Sequence, residues 1–242
     1  MRTHLFVPNC DSRCRELLLN AMHIAIIGTG NIGGRLANLL TSSPHEVVLG
    51  VHDREAIAAC TRKYPTIPAK LATEAMDWAD TIVLAIPWTA VDELLSQAGS
   101  LADKVLIETT NPLLPDLSGL SNPGGRSAAE FIQHRKPAAR VVKAFNSLGA
   151  GYLGNARIAG SIADGFYCGD DAEAKSISAE LIAKAGLYPC DVGQLKNARY
   201  LEALAMLWID MAVNQKRPGR FAFKLLNESP GAPPNVFEEE PN

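Results

Sequence analysis

A glycine-rich stretch with the spacing Gly-x-Gly-x-x-Gly, from Gly28 to Gly33, is the most chemically informative feature of the 242-residue chain. It follows the apolar run of residues 23–27 and precedes residues typical of a helix. Gly28 permits a tight turn, Gly30 lets a pyrophosphate approach the backbone, and Gly33 lets the helix pack closely on the strand. The free N–H groups and the dipole of the helix N-terminus favour an anion here. The stretch therefore predicts a dinucleotide-binding turn.

The end of the second predicted strand bears on the choice between NAD and NADP. Asp53 lies at the distance past Gly33 at which an acidic residue binds the ribose hydroxyls of NAD. Arg54 offers a planar guanidinium group for the 2′-phosphate of NADP, with His52 close by. A solvated Arg54 at a helix start is the alternative. These residues alone do not decide between NAD and NADP.

Residues for acid–base or nucleophilic catalysis are not clearly marked, so the catalytic residues stay unassigned. The sequence shows no Ser-His-Asp set, no metal-binding cluster and no paired carboxylates in a clear context. Lys143 is a candidate general acid, but it falls inside a strand pattern, and His134 fits a solvated helix end. Trp88 fits either an aromatic wall of a cleft or a cover for the sheet edge.

The overall composition excludes several classes of partner. The net charge is −3, which provides no strong field to recruit nucleic acid or an anionic membrane. The cysteines are odd in number and scattered, which favours a reducing compartment; they are Cys10, Cys14, Cys60, Cys168 and Cys190. No apolar run reaches transmembrane length. We therefore predict a cytoplasmic protein without nucleic-acid or membrane partners.

Strand and helix patterns alternate through the first part of the chain. Strands are predicted at 23–27, 46–51, 81–86, 104–108 and 140–145, and helices at about 31–40, 54–63, 70–78, 87–98 and 127–134. The alternation predicts an α/β fold with a Rossmann-type doubly wound parallel sheet. A small C-terminal α/β extension follows, with strands at 165–169 and 187–191, a helix at 170–185 and a long final helix at 194–215.

The predicted domain organisation has four parts. Residues 1–21 form an N-terminal extension, 22–146 an NAD(P)-binding Rossmann domain, 147–226 a C-terminal acceptor and dimerisation domain, and 227–242 a flexible tail. The long final helix is apolar on more than one face, so it needs partners on several sides. Burial within its own domain and a homodimer interface both account for this, and we favour the homodimer.

Several blocks of sequence, taken together and in order, resemble one family. They are the glycine turn, LGVHDR (49–54), ADTIVLAIPW (79–88), TNPL (110–113), SAAE (127–130), VVKAFN (141–146), GDD (169–171), DVGQL (191–195) and ARYLE (198–202). The chain resembles the NADP oxidoreductases that include coenzyme F420-dependent NADP reductase. It is also similar to the cytosolic domain of six-transmembrane ferric reductases. The resemblance covers about residues 22–226.

The resemblance implies a pose for the nucleotide. The pyrophosphate lies over Thr29, Gly30, Asn31 and Ile32, beside Gly28, and the 2′-phosphate lies near His52 and Arg54. Ile86 and Pro87 line the nucleotide path, Ala144 and Asn146 lie near the nicotinamide, and Pro87, Asn111 and Asn146 form the surface that faces the glycine turn. The family usually has Ser or Thr followed by Arg where this chain has Val51 and His52. The departure removes a hydroxyl and a permanent charge from the 2′-phosphate pocket.

The resemblance also implies an activity. The chain is expected to transfer hydride between NADPH and a small-molecule acceptor such as the deazaflavin F420 or a flavin. Such a transfer depends on stacking and orientation of the two rings more than on an acid or base. A small imine reductase resembling pyrroline-carboxylate reductase and a non-catalytic NADP-sensing module are the alternatives. NAD in place of NADP also stays open.

Overall fold

The structure is a computed structural model that describes residues 21–121 and 125–226. The interpretations of residues 1–20 and of the tail at 227–242 lie outside the described residues.

An eight-stranded sheet carries the fold, in the strand order β10-β9-β6-β5-β4-β1-β2-β3. Its strands are β1 (His23–Ile27), β2 (Glu46–Val51), β3 (Ala69–Leu71), β4 (Thr81–Leu84), β5 (Val105–Glu108), β6 (Arg140–Ala144), β9 (Asp164–Gly169) and β10 (Tyr188–Asp191). Strands β7 (Arg157–Ile158) and β8 (Ser161–Ile162) form a separate hairpin. Strands β1 to β6 pair in parallel, which confirms the Rossmann-type prediction. Strand β9 of the C-terminal extension joins the same sheet and pairs antiparallel with β6.

Helices cover both faces of this sheet. They are α1 (Asn31–Leu40), α2 (Arg54–Lys63), α3 (Ala72–Trp78), α4 (Val91–Gln97), α5 (Ala128–Arg135), α6 (Ala172–Lys184) and α7 (Ala198–Ile209). Core residues of α1, α2 and α6 cluster on one face, and those of α3, α4, α5 and α7 cluster on the other. The central strands β1, β4 and β5 are buried apart from His23 at the start of β1, which accounts for their mostly apolar sequences.

Capping residues mark the boundaries of the helices. Ser127 and Glu130 form a capping box at the start of α5. Asp171 accepts a hydrogen bond from the N–H of Ala174 and caps α6. Gly186 follows α6 with a φ of +82°, the left-handed conformation that glycine tolerates.

Short elements depart from the sequence prediction. Residues 69–71 form the edge strand β3 rather than the start of a helix, and three residues are too few for a recognisable pattern. After Pro87 the chain makes a 3₁₀ turn at Trp88–Ala90 before α4 begins. The predicted final helix is a 3₁₀ turn at Leu195–Asn197, then α7, then a π-helical turn at Asp210–Asn214. The small β7–β8 hairpin was not predicted.

Among the described residues, no helix has both the length and the apolar character needed to span a membrane.

Candidate functional site

The predicted site residues lie at the carboxyl ends of neighbouring parallel strands. They are Gly28, Thr29, Gly30, Asn31 and Ile32 after β1, His52 and Arg54 after β2, Ile86 and Pro87 after β4, Asn111 after β5, and Ala144 and Asn146 at the end of β6. The chain leaves β1 toward β2 on one side and continues from β4 on the other. This reversal is the point where open α/β sheets bind ligands.

The glycine turn is held tightly on its inner side and open on its outer side. Gly28 has a φ of +104°, and a Cβ there would lie 2.3 Å from the main-chain oxygen of Ala85. A Cβ at Gly33 would lie 2.1 Å from the main-chain oxygen of Gly28. At Gly30, by contrast, a Cβ would meet nothing within 4 Å. Gly30 is also the N-cap residue of α1, and no side chain makes a capping hydrogen bond there. The turn therefore leaves space and helix N–H groups where an anion would bind.

The end of β2 places His52, Asp53 and Arg54 on the surface beside this turn. Asp53 caps α2, because its Oδ1 accepts a hydrogen bond of 2.7 Å from the N–H of Ala56. Its other oxygen lies 3.0 Å from Nε2 of His52. Both oxygens of Asp53 therefore have partners within the chain. Arg54, at the first position of α2, is exposed.

Two residues that the sequence analysis missed contact the glycine turn. The Nζ atom of Lys63 lies 3.4 Å from the main-chain oxygen of Thr29. The hydroxyl of Tyr64 lies 3.5 Å from the same oxygen and fills the space beside Gly34. Lys63 brings a permanent positive charge to the turn. Sequence separation hides both contacts, because they join positions more than thirty residues apart.

Apolar and aromatic side chains follow β4. Ile86 lies against the glycine turn, and its Cγ2 would be 3.0 Å from a Cβ at Gly28. Trp88 packs edge to face on Phe131 of α5, with ring centroids 5.4 Å apart. Both rings are partly buried. Trp88, the first residue of the 3₁₀ turn, therefore packs this turn against α5, next to the exposed Pro87.

Asn111 and Asn146 join the ends of β5 and β6. Nδ2 of Asn111 donates to the main-chain oxygen of Asn146 at 3.0 Å. Nδ2 of Asn146 donates to Oδ1 of Asn111 at 2.9 Å and to the main-chain oxygen of Leu201 at 3.0 Å. Phe145, just before Asn146, has a φ of +60°, which is strained for a bulky residue. Ala144, at the end of β6, is fully buried, and its predicted place near the nicotinamide stays a prediction.

Two buried polar atoms at this edge have no hydrogen-bond partner within the described residues. They are Oδ1 of Asn146 and Oγ1 of Thr110. Buried polar atoms are normally paired, so such atoms call for an explanation. The open glycine turn and these unpaired atoms lie at the same edge of the sheet, after β1, β5 and β6. The residues present are therefore compatible with a nicotinamide nucleotide.

A fully buried charge cluster lies behind the two asparagines. Nζ of Lys143 is 2.6 Å from Oε2 of Glu108 and 2.9 Å from Oε1 of Glu202. Burial alone would lower the pKa of Lys143, but the two carboxylates outweigh it, and this pKa lies above its usual value. Burial raises the pKa of Glu202, and the charge of Lys143 only partly offsets the rise. Lys143 therefore does not present a free ammonium to a ligand, as the general-acid hypothesis would require.

Comparison with known proteins identifies relatives. The family described as NADP oxidoreductase, coenzyme F420-dependent, matches residues 23–112. An F420-dependent NADP reductase of Methanothermobacter marburgensis is 30% identical over 81% of this chain and 94% of its own length. A solved structure assigned as an F420-dependent NADP reductase, from Arthrobacter sp. FB24, is 29% identical with a TM-score of 0.77, over 86% of this chain and 100% of that one.

A third relative is a longer protein. The metalloreductase STEAP3 of Rattus norvegicus is 30% identical over 81% of this chain. The chain spans only 39% of the length of that metalloreductase.

Proposed function

The chain belongs to the family of coenzyme F420-dependent NADP oxidoreductases and is an NAD(P)-dependent oxidoreductase, and on that premise we propose that it transfers hydride between NADP(H) and a deazaflavin of the F420 type. The observation that carries the proposal is the match to the Methanothermobacter reductase, which extends over 94% of that protein. The match to the metalloreductase leaves most of that longer protein uncovered. A flavin is the closest alternative acceptor, because its ring system accepts hydride in the same way.

The residues of the site have separable tasks in this proposal. The glycine turn and the N-terminus of α1 bind the pyrophosphate. The ends of β5 and β6 hold the nicotinamide, which supplies or accepts the hydride when bound. Ile86 and Pro87 line the path between them. Holding two rings in contact provides much of the rate enhancement through proximity, so the site needs rigid positioning rather than a strong acid or base.

The end of β2 supports NADP over NAD. Asp53 is already occupied by the cap of α2 and by His52, so its carboxylate is not free to bind two ribose hydroxyls. Arg54 carries a permanent positive charge that suits a 2′-phosphate. Lys63, at the other end of α2, contacts the main-chain oxygen of Thr29 in the pyrophosphate turn. We propose that Arg54 replaces the charge lost at His52.

A homodimer through α7 accompanies this proposal. Tyr200 and Leu207 are seven positions apart, hence on one face of the helix, and they are 67% and 49% exposed. Large apolar side chains on one exposed helix face are typical of interaction surfaces. The opposite face of α7 is buried through Leu201 and Ala205. A symmetric pairing of two copies of α7 would cover the exposed face.

An acceptor screen tests the proposed activity. The full chain is mixed with NADPH and, in separate reactions, with F420, a flavin, a ferric chelate and a cyclic imine. Oxidation of NADPH with F420 supports the proposal. Oxidation with the imine alone favours an imine reductase, and binding of NADPH without turnover of any acceptor favours an NADP-sensing module; either outcome rejects the proposal.

A further inference from the structure

The buried ion cluster and the asparagine pair form one closed ring of hydrogen bonds, completed by the peptide links from Thr110 to Asn111 and from Leu201 to Glu202. Lys143 Nζ donates to the main-chain oxygen of Thr110 at 2.6 Å, and the N–H of Thr110 donates to Oε1 of Glu108. Thr110 is thus held by both of its main-chain polar groups. The ring closes through Asn111, Asn146 and Leu201 to Glu202, which binds Lys143.

The ring connects three elements that carry the predicted nicotinamide side of the site. Glu108 and Lys143 are directly paired in the register of β5 and β6. Glu202 lies on α7 and its Oε1 also accepts a hydrogen bond of 2.8 Å from the N–H of Ala128, at the start of α5. The strained backbone at Phe145 lies within the ring, between residues that the ring holds on both sides. Such strain persists only where the surroundings fix it.

Stability alone does not account for this cluster. The side chains of Glu108 and Lys143 are 0% exposed and that of Glu202 is 1% exposed. Removing charges from water costs several kcal/mol for each ion, and well-packed apolar residues in place of a buried ion pair are often equally stable or more stable. We therefore attribute to the ring a role in fixing the positions of the residues that it holds.

We propose that Glu108, Lys143 and Glu202 are positioning residues, whose ring holds Thr110, Asn111 and Asn146 in the place where the nicotinamide is oriented. The proposal rests on the proposed function in one respect, that a nicotinamide nucleotide binds at this edge. None of the three charged residues contacts the nucleotide itself. They act through the main chain of Thr110 and through the two asparagines.

Two isosteric substitutions separate geometry from charge. In Glu108, Oε1 and Oε2 each accept from a different donor, so in Glu108→Gln the new NH₂ group must face either Thr110 N–H or Lys143 Nζ. In Glu202, the single atom Oε1 accepts from both Lys143 and Ala128, so Glu202→Gln retains both bonds. Both variants remove one carboxylate charge beside the same ammonium. Only Glu108→Gln breaks the ring.

The experiment compares the affinity of each variant for NADPH with its affinity for 2′-phospho-ADP-ribose, which lacks the nicotinamide. For Glu108→Gln we expect the affinity for 2′-phospho-ADP-ribose to stay within about twofold and the advantage of NADPH over this fragment to disappear. We expect kcat for hydride transfer to fall about 10- to 100-fold, as misplacement of reacting groups does. Glu202→Gln should lose much less of both properties than Glu108→Gln, because it retains its two hydrogen bonds. Equal losses in the two variants, or unchanged values in a folded Glu108→Gln, would overturn the proposal.

A triple variant covers the case in which Glu108→Gln folds poorly. Glu108→Gln with Lys143→Met and Glu202→Gln removes all three buried charges together, so we expect the melting temperature to recover while the NADPH advantage and kcat stay low. Recovery of stability and of kcat together would show a purely structural role. The affinity ratio needs no acceptor, so it tests the ring even if the wild-type chain oxidises NADPH with none of the acceptors screened.

Discussion

The main-chain oxygen of Gly28 lies so close to Gly33 that a Cβ at residue 33 would be 2.1 Å from it. This oxygen belongs to rigid backbone and cannot move aside as a flexible side chain would. At Gly30, in the same motif, an added Cβ would meet no other atom within 4 Å. The glycines of one turn therefore serve different purposes, since one permits packing and the other leaves room for a ligand.

Alanine substitutions at these two glycines should separate folding from binding. Gly33→Ala should lower the free energy of unfolding by about 1–3 kcal/mol, because the added methyl group overpacks the strand–helix contact. Gly30→Ala should keep the melting temperature and weaken NADPH binding. Thermal unfolding and NADPH titration of both variants check this. A Gly30→Ala variant that binds NADPH as well as wild type would contradict the assignment of the pyrophosphate to this turn.

Arg54→Ala should weaken NADPH and spare NADH. A hydrogen-bonded charge pair with a phosphate is worth about 1.5–3 kcal/mol, so we expect the Kd for NADPH to rise about 10- to 100-fold. Arg62→Ala is the matched control, because it removes the same charge eight positions further along α2, about 12 Å away. Fluorescence titration with each nucleotide measures the effect. Equal losses for NADPH and NADH would reject a contact with the 2′-phosphate.

The capping box of α5 should make stability depend on pH in the acid range. Burial disfavours the charged form of Glu130, but hydrogen bonds from Ser127 and Arg199 outweigh it and hold the pKa of Glu130 below its usual value of 4.5. A lowered folded-state pKa contributes stability above the unfolded pKa, and this contribution is lost as pH falls through the folded pKa.

Urea unfolding of wild type and Glu130→Gln between about pH 6 and about pH 3 tests this dependence. The stability advantage of the wild type should be largest near pH 6 and should shrink as the pH falls. Glu74→Gln, an exposed position on α3, controls for loss of a carboxylate. A difference that stays constant across the range would show that the charge of Glu130 is not involved.

Leu207→Lys should dissociate the proposed homodimer. A charged side chain on the exposed apolar face of α7 opposes the burial of that face against a second copy of the chain. Sedimentation equilibrium should give about twice the 25.9 kDa chain mass for wild type and the single mass for the variant. Leu114→Lys, a change of the same kind at a residue that is 37% exposed in a loop, should leave the dimer intact. A monomeric wild-type chain would exclude this use of α7.

The features predictable from sequence were those governed by local chemistry. The glycine spacing and the apolar runs of the central strands each follow from neighbouring residues. The fold class follows from the alternation of strands and helices. The site edge was predictable for the same reason, because parallel strands present their carboxyl ends together.

The remaining features depend on contacts between distant parts of the chain. Lys143 in a strand pattern gave no sign of its partners, because Glu202 is 59 positions away. Lys63 reaches Thr29 through tertiary packing of α2. The antiparallel pairing of β9 with β6 reflects the direction in which the chain returns to the sheet, and no local pattern encodes that direction.

Stopped-flow absorbance of the full chain with NADPH and oxidised F420 tests the central claim most directly. We expect the absorbance of NADPH and that of oxidised F420 to decay together with one-to-one stoichiometry, because one hydride passes from one ring to the other. Arg54→Ala should slow the reaction at low NADPH concentration. Saturable binding of NADPH with no reduction of F420 at any concentration would contradict the proposed hydride transfer to a deazaflavin.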